Sequence, residues 1–303
     1  MKLNIDINIC SPTLGTLDWG DTAFGQSLIR RLEARGHSAQ LRCLNDWYES
    51  SNSDLTITIV GKYKYKVAKN CLNFAWVISH PEVRTEEELN QYDAVFVASS
   101  QFAKIIGQDL IPPCYYLPQA TDEDRFFPRE NIQKTFDILF VGNNYYDNFN
   151  LRRVISDLLA INKSYDFKVV GRDWNKGLPK DKILSNFVDY NELPELYKKA
   201  KIVLNDHHEL MRRYGFVNNR AFDLGRLRQC QISDYVPGIE EWGIPFYRNV
   251  SELENKLEYY LKSDSERKRQ EKITFELTKN STFDRRAEYI LEVYRELEGS
   301  LAN

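Results

Sequence analysis

The sequence predicts an α/β protein in which strands and helices alternate twice, as two successive parallel-sheet halves. Three observations carry that expectation. Short apolar runs recur with helical or polar pieces between them, at the spacing of βα units. A polar stretch with one proline, residues 119–135, interrupts the series midway and reads as a linker. The chain has 303 residues, enough for two ordinary domains and for a core that needs neither disulfide nor structural metal.

Leu3, Ile5, Ile7 and Ile9 alternate with polar residues, the period of a strand. A loop of small and turn residues follows, then a helix with Phe24, Leu28 and Leu32 on one face and Gly36 as its C-cap. Residues 55–60, 74–79, 94–98 and 115–117 complete the first set of strands. The second set falls at 136–141, 167–170, 186–188, 202–205 and 231–233, with helices at 151–161 and 194–199. Ser251 and Glu254 have the spacing of a capping box. From Phe283 onward, Ala287, Ile290, Leu291, Tyr294 and Leu297 form one helical stripe.

Composition narrows the function. Acidic and basic side chains number 44 and 41, a net charge of −3, which argues against a nucleic-acid binder with its basic excess. Five cysteines without a CxxC pair disfavour a secreted disulfide framework and a zinc site. The N-terminus is too polar for a signal peptide, and no stretch approaches a membrane span. The expectation is a cytoplasmic protein with at most peripheral membrane contact.

In open α/β sheets ligands bind beyond the carboxyl ends of strands, so the loops there hold the candidates. After the first strand, Gly15 and Gly20 permit close backbone approach, Trp19 offers a stacking face, and Asp21 either caps the helix or serves as a base. His80 ends another apolar run and suits a general base or a donor to an acceptor. In the second half, Gly142 and Asn143 lead to a helix bearing Arg152 and Arg153, and Arg172 follows another strand-then-glycine turn. The densest signal is LNDHHELMRRYGFVNNRAFD. Asp206 ends a strand, Gly215, Phe216 and Val217 could present backbone amides to a diphosphate, and Asn219, Arg220 and Asp223 follow on a helix. Trp76, Tyr145, Tyr146 and Phe216 are further aromatics in or near these loops. Neither half carries GxGxxG, which disfavours a nicotinamide enzyme.

The same run, with ISDYVPGIEEWG, WGDTAFGQSLIRRLEARGH, WVISHPE before YDAVFVAS, and STFDRRAEYIL, resembles the CgeB-like branch of GT-B glycosyltransferases. That branch is similar to the family 1 and family 4 nucleotide-sugar-dependent enzymes. The resemblance implies two Rossmann-like domains facing an interdomain cleft. Residues 1–120 would bind acceptor, residues 136–282 would bind nucleotide-sugar, and the helix 283–303 would pack back on the first domain. It implies no cofactor and no essential metal, a UDP-sugar as co-substrate, and a glycan or glycolipid acceptor in surface polysaccharide or spore-coat synthesis. Asp223 falls where relatives carry the ribose-binding second Glu of E-x7-E, whereas Gly215 stands in place of the first. Arg226 and Arg228 replace the usual small residues after the helix, and Val188 lies where the base is held. Catalysis is expected from Arg220, with Arg152 or Arg153, on the leaving diphosphate, and from His80 or Asp21 as base. The missing Glu keeps open a nucleotide- or glycan-binding protein without turnover, and a UDP-sugar epimerase is a further alternative.

Overall fold

The computed structural model describes residues 1–14, 20–49, 52–67, 70–144 and 151–301. Gly15, Trp19, Tyr145 and Tyr146 therefore lie outside the described residues. The chain runs β1 (Asn4–Asn8), α1 (Gly20–Ala34), β2 (Ser38–Arg42), β3 (Leu55–Val60), β4 (Leu72–Val77), α2 (Glu86–Leu89), β5 (Ala94–Val97), α3 (Ser100–Ile106) and β6 (Cys114–Tyr116). It continues with β7 (Phe136–Val141), α4 (Arg153–Leu159), β8 (Phe167–Val170), β9 (Ile183–Ser185), α5 (Leu193–Lys198), β10 (Ala200–Asn205) and α6 (Glu209–Tyr214). Last come α7 (Asn219–Arg226), β11 (Gln231–Asp234), β12 (Phe246–Tyr247), α8 (Val250–Lys262), α9 (Asp264–Thr278) and α10 (Phe283–Leu301).

Two six-stranded parallel sheets result, ordered β2-β1-β3-β4-β5-β6 and β12-β11-β10-β7-β8-β9. Neither unit is continuous in sequence. The first comprises Met1–Ala120, Glu209–Val217 and Ser281–Asn303; the second comprises Thr121–His208 and Asn218–Asn280.

In the first unit, α10 completes the core on one face of the sheet. Phe283 meets Phe24 edge-on at 4.7 Å, and Phe24 meets Trp76 at 5.0 Å. Ala287, Ile290, Leu291 and Tyr294 close over Ile5, Ile7 and Leu28 in the same cluster. Arg286 fixes the helix by donating to the carbonyls of Pro118 (2.8 Å) and Gln119 (3.2 Å). Trp76 is thus a core residue, fully buried, and not a sugar platform.

Three expectations change. Residues from Thr121 are no loose linker: Phe126 is fully buried, Asp122 pairs with Arg125, and Arg125 stacks on Tyr190 at 4.4 Å. The strand expected at 186–188 lies at β9, three residues earlier, because Ile183 is the residue that registers with Val169 of β8. The cap of α8 is Asn249, whose Oδ1 accepts from Glu252 N while the Glu252 carboxylate accepts from Arg248 N. This shifts the box two residues upstream of Ser251. The edge strand β2 and the helix α9 were not legible, since β2 is half-exposed SAQLR and α9 is mostly charged. Small residues seat α9 instead: a Cβ on Gly225 would lie 2.4 Å from Thr278 Oγ1.

Replacing Phe283 by Ala should leave a cavity beside Phe24 and destabilise the protein by about 3–5 kcal/mol. Urea unfolding should show a lowered midpoint with an unchanged slope.

Candidate functional site

The second unit gathers most of the predicted donor residues at the carboxyl ends of β7, β8, β10 and β11. The turns after β7 and β8 touch backbone to backbone. Gly171 has φ +137°, and a Cβ there would sit 2.2 Å from the Gly142 carbonyl oxygen, so only glycine is accommodated. Asn143 ties the two turns, its Oδ1 accepting from Arg172 N at 3.0 Å. Arg172 itself is exposed.

Arg220 reaches back from the first turn of α7 to this crossing. A Cβ on Gly142 would lie 3.2 Å from its guanidinium, which also rests 5.1 Å over the Phe140 ring. Its hydrogen-bond partners among the described residues are neutral: Asn205 Oδ1 at 3.2 Å and the Tyr197 hydroxyl. Arg152 lies on the same ring, at 5.5 Å, but in a different electrostatic state. It makes a two-pronged ion pair with buried Asp206, Nε to Oδ2 at 2.9 Å and Nη2 to Oδ1. Its charge is therefore balanced inside the protein. Arg153 turns elsewhere, to Asp157 and the Arg248 carbonyl. Of the three arginines expected to hold a diphosphate, Arg220 is the one hydrogen-bonded to no carboxylate among the described residues, although Asp223 lies within its electrostatic reach.

What aims Arg220 is a buried network that the sequence reading passed over. Asn205 and Asn218 exchange two amide hydrogen bonds of 3.0 and 3.1 Å. Asn218 also caps α7, accepting from Ala221 N, and donates to the Asp206 carbonyl at 2.9 Å. The Asn218 N–H donates to His207 Nε2 (3.1 Å), so the ring is neutral there and carries its proton on Nδ1, 2.7 Å from Asp234 Oδ1. The His207 side chain is fully buried. His207 is thus the support for the α7 cap. Polar residues ending two adjacent strands, with Asn before a helix, were the available signal.

Three expected donor residues belong elsewhere. Gly215 follows α6 in the left-handed region (φ +79°), Phe216 N donates to Met211 O at 2.9 Å, and the buried Phe216 ring packs 5.5 Å from Phe102. Gly215, Phe216 and Val217 belong to the first unit. The helix that follows begins only after Asn218, so these amides do not form its N-terminus, and Phe216 is core and not a stacking face. Asp223 is buried with both oxygens engaged, by Thr121 Oγ1 (2.6 Å) and Asn219 Nδ2 (3.3 Å). Burial pushes its carboxyl up to about 8, against the opposing Thr121 hydrogen bond. Val188 is half-buried and shares a surface pocket with Val170, Leu184, Phe187 and Leu196. Arg226 and Arg228 sit over Phe275 of α9, at 5.5 and 4.2 Å.

In the first unit, Asp21 opens α1 beside Gly20. Its Oδ2 accepts from the amides of Cys10 (2.8 Å) and Ser11 (3.0 Å), whereas its buried Oδ1 has no partner among the described residues. Burial raises its pKa, opposed by those amides. His80 follows β4 in the left-handed region, half-exposed, with Nδ1 3.0 Å from Glu82 Oε1. No cluster of metal-ligating side chains occurs among the described residues. No described helix is long and apolar enough to cross a membrane.

These features define the class: an α/β protein of the GT-B glycosyltransferase fold. Residues 150–292 match the family described as glycosyl transferase-like. Spore protein CgeB of Bacillus subtilis is 23% identical over 177 residues, 51% of this chain and 53% of that protein. The match thus spans about half the length of this curated relative. A DNA-modifying β-glucosyltransferase, solved with and without uridine diphosphoglucose, superposes with TM-score 0.67 at 16% identity, covering 98% of this chain and 100% of that one. An α-glucosyltransferase in complex with UDP and a 13-mer DNA gives 0.64 at 10% identity, covering 98% and 99%. The chain thus shares this fold with the glucosyltransferases and is similar to CgeB over about half its length.

The expectation that excluded nucleic acid is overturned. Proteins sharing this fold over nearly the whole chain are DNA-modifying or DNA-bound glucosyltransferases. A near-zero net charge is no bar, because phosphate contacts need only local cations.

Replacing His207 by Ala leaves Asp234 and the Asn218 N–H without their buried partner, and should cost about 2–4 kcal/mol. Urea unfolding should show that loss as a lowered midpoint. The Asp223 shift gives a second expectation. With a carboxyl near 8 when folded and near about 3.9 when unfolded, the folded state holds a proton the unfolded chain releases. Stability should be fully present below pH ~4 and decline as pH rises to ~8. Asp223→Asn should remove that decline, read from urea unfolding at several pH values.

Proposed function

We propose that this protein is a glycosyltransferase that moves a sugar from a nucleoside-diphosphate sugar, a UDP-sugar first among them, to a hydroxyl acceptor without a metal. The observation that carries this reading is the Arg220 guanidinium lodged against Gly142, hydrogen-bonded to neutral groups and with Asp223 as a nearby carboxyl. A preoriented cation of this kind stabilises the charge that develops on a departing diphosphate. Residues 136–282 supply the donor side in this reading and residues 1–120 the acceptor side. Asp21 takes the acceptor proton: its raised pKa and an Oδ1 unpartnered among the described residues suit a base better than the half-exposed His80. The acceptor in this reading is a spore-coat or other surface glycan, or a glycolipid, and the similarity to a spore protein supports it. A second reading, favoured by the DNA-acting proteins of the same fold, is a hydroxyl on nucleic acid.

Transfer and slow hydrolysis from a panel of nucleotide sugars, with glycan, glycolipid and hydroxymethylated DNA acceptors, test the reading. Arg220→Ala should lower kcat/KM about 10²–10³-fold; unchanged kinetics would remove its assigned role. Asp21→Asn should lower kcat while the donor KM stays put. EDTA should leave the rate intact, and a metal requirement would overturn the metal-free mechanism. An epimer formed from donor alone, seen by NMR, would point to the epimerase alternative.

A further inference from the structure

The segment Gly61-Lys-Tyr-Lys-Tyr-Lys66 leaves the carboxyl end of β3, on the ligand side of the first unit's sheet, and no role described above uses it. It is an anchored structure. Arg84 donates to the Gly61 carbonyl at 3.0 Å. Tyr65 is buried, edge-on to Trp47 at 5.7 Å, and Lys66 N donates to the Tyr48 hydroxyl at 3.1 Å. With Tyr65 turned inward, Lys62, Lys64 and Lys66 are all exposed. Tyr48 lies parallel on Tyr65, at 5.7 Å and 5°, yet is 64% exposed, so its outer face is open. Lys62 sits 5.9 Å over the half-exposed Tyr63 ring.

Nearby carboxylates do not cancel this charge. Glu88 forms a buried pair with Arg84, and Glu49 faces Arg42. Lys64 contacts Glu88 only at 3.5 Å and remains 60% exposed. Glu87, on the rim of the concavity beside Tyr48, is the remaining carboxylate among the lining residues. Three lysines interleaved with an open aromatic face have the chemistry of a site for single-stranded nucleic acid: ammonium groups meet phosphates, and a base stacks on tyrosine.

We propose that Tyr48 and Lys62, Lys64 and Lys66 form a single-stranded nucleic-acid-binding surface on the first unit. The proposal deepens the nucleic-acid reading of the acceptor, but its test needs no donor and no turnover. The probe is a fluorescent 12-nucleotide oligothymidylate, followed by anisotropy across a salt series. The parent should bind, with affinity falling steeply as salt rises. Joint Lys62→Gln, Lys64→Gln and Lys66→Gln replacement should flatten the log–log salt slope by about 2, at roughly 0.7 per phosphate contact. Tyr48→Ala should weaken binding about 5–100-fold, and Tyr48→Phe should keep it. Circular dichroism and Tm establish that each variant is folded, and the lysine set stands alone should Tyr48→Ala not fold. Absence of oligonucleotide binding by the folded parent, binding indifferent to both sets of variants, or binding of neutral oligosaccharide in its place would overturn the proposal. Donor hydrolysis on the same samples separates the two readings. Hydrolysis without oligonucleotide binding defeats this surface alone, and binding without any turnover on the full panel defeats the transferase alone.

Discussion

The hydrogen bond from the Asn218 amide to His207 Nε2 fixes the place where the chain rejoins the second unit. The chain leaves that unit after His208, contributes Glu209–Val217 to the first unit, and resumes at Asn218. Nine intervening residues give the return point no local specification, so it must be set by a contact that recognises the returning backbone. A neutral imidazole, held by Asp234 and wholly shielded from water, does so with a directional acceptor. The cap of α7, the paired amides of Asn205 and Asn218, and the aim of Arg220 all inherit their positions from it.

The fold was readable where burial writes a continuous signal. Strands β3, β7 and β8 lie where their apolar runs put them, since a strand covered on both faces has few polar residues to blur its ends. Strand β2 lies at a sheet edge and needs only half of that apolar content, so it left no run to find. Helix α9 rests on Thr274 and Thr278 against a glycine, a close approach that hydrophobic periodicity does not record.

The site was readable in residue type but not in partnership. Arg152, Arg153 and Arg220 look alike in a sequence; an ion pair with Asp206, a surface pair with Asp157 and a neutral amide partner distinguish them only in three dimensions. Asp223 was singled out as a ribose ligand that the resemblance implies, whereas its Thr121 partner lies 102 residues away in a segment read as linker. Net charge misled for a related reason. It averages over the surface, while Lys62, Lys64 and Lys66 stand within five consecutive residues.

The interleaving of the two units also has a consequence for synthesis. The first unit's core is closed by Phe283, Ile290 and Leu291, which are made after every segment of the second unit. Until then, Phe24, Leu28 and Trp76 lack the helix that covers them, although their own strands were made long before. The nascent chain must therefore carry an open apolar face while the whole second unit is being made, the condition under which chaperones engage a polypeptide. The second unit, whose segments end at Asn280, is free to complete itself first. Maturation then runs against the order of the genetic message, with the earlier-made half finishing last.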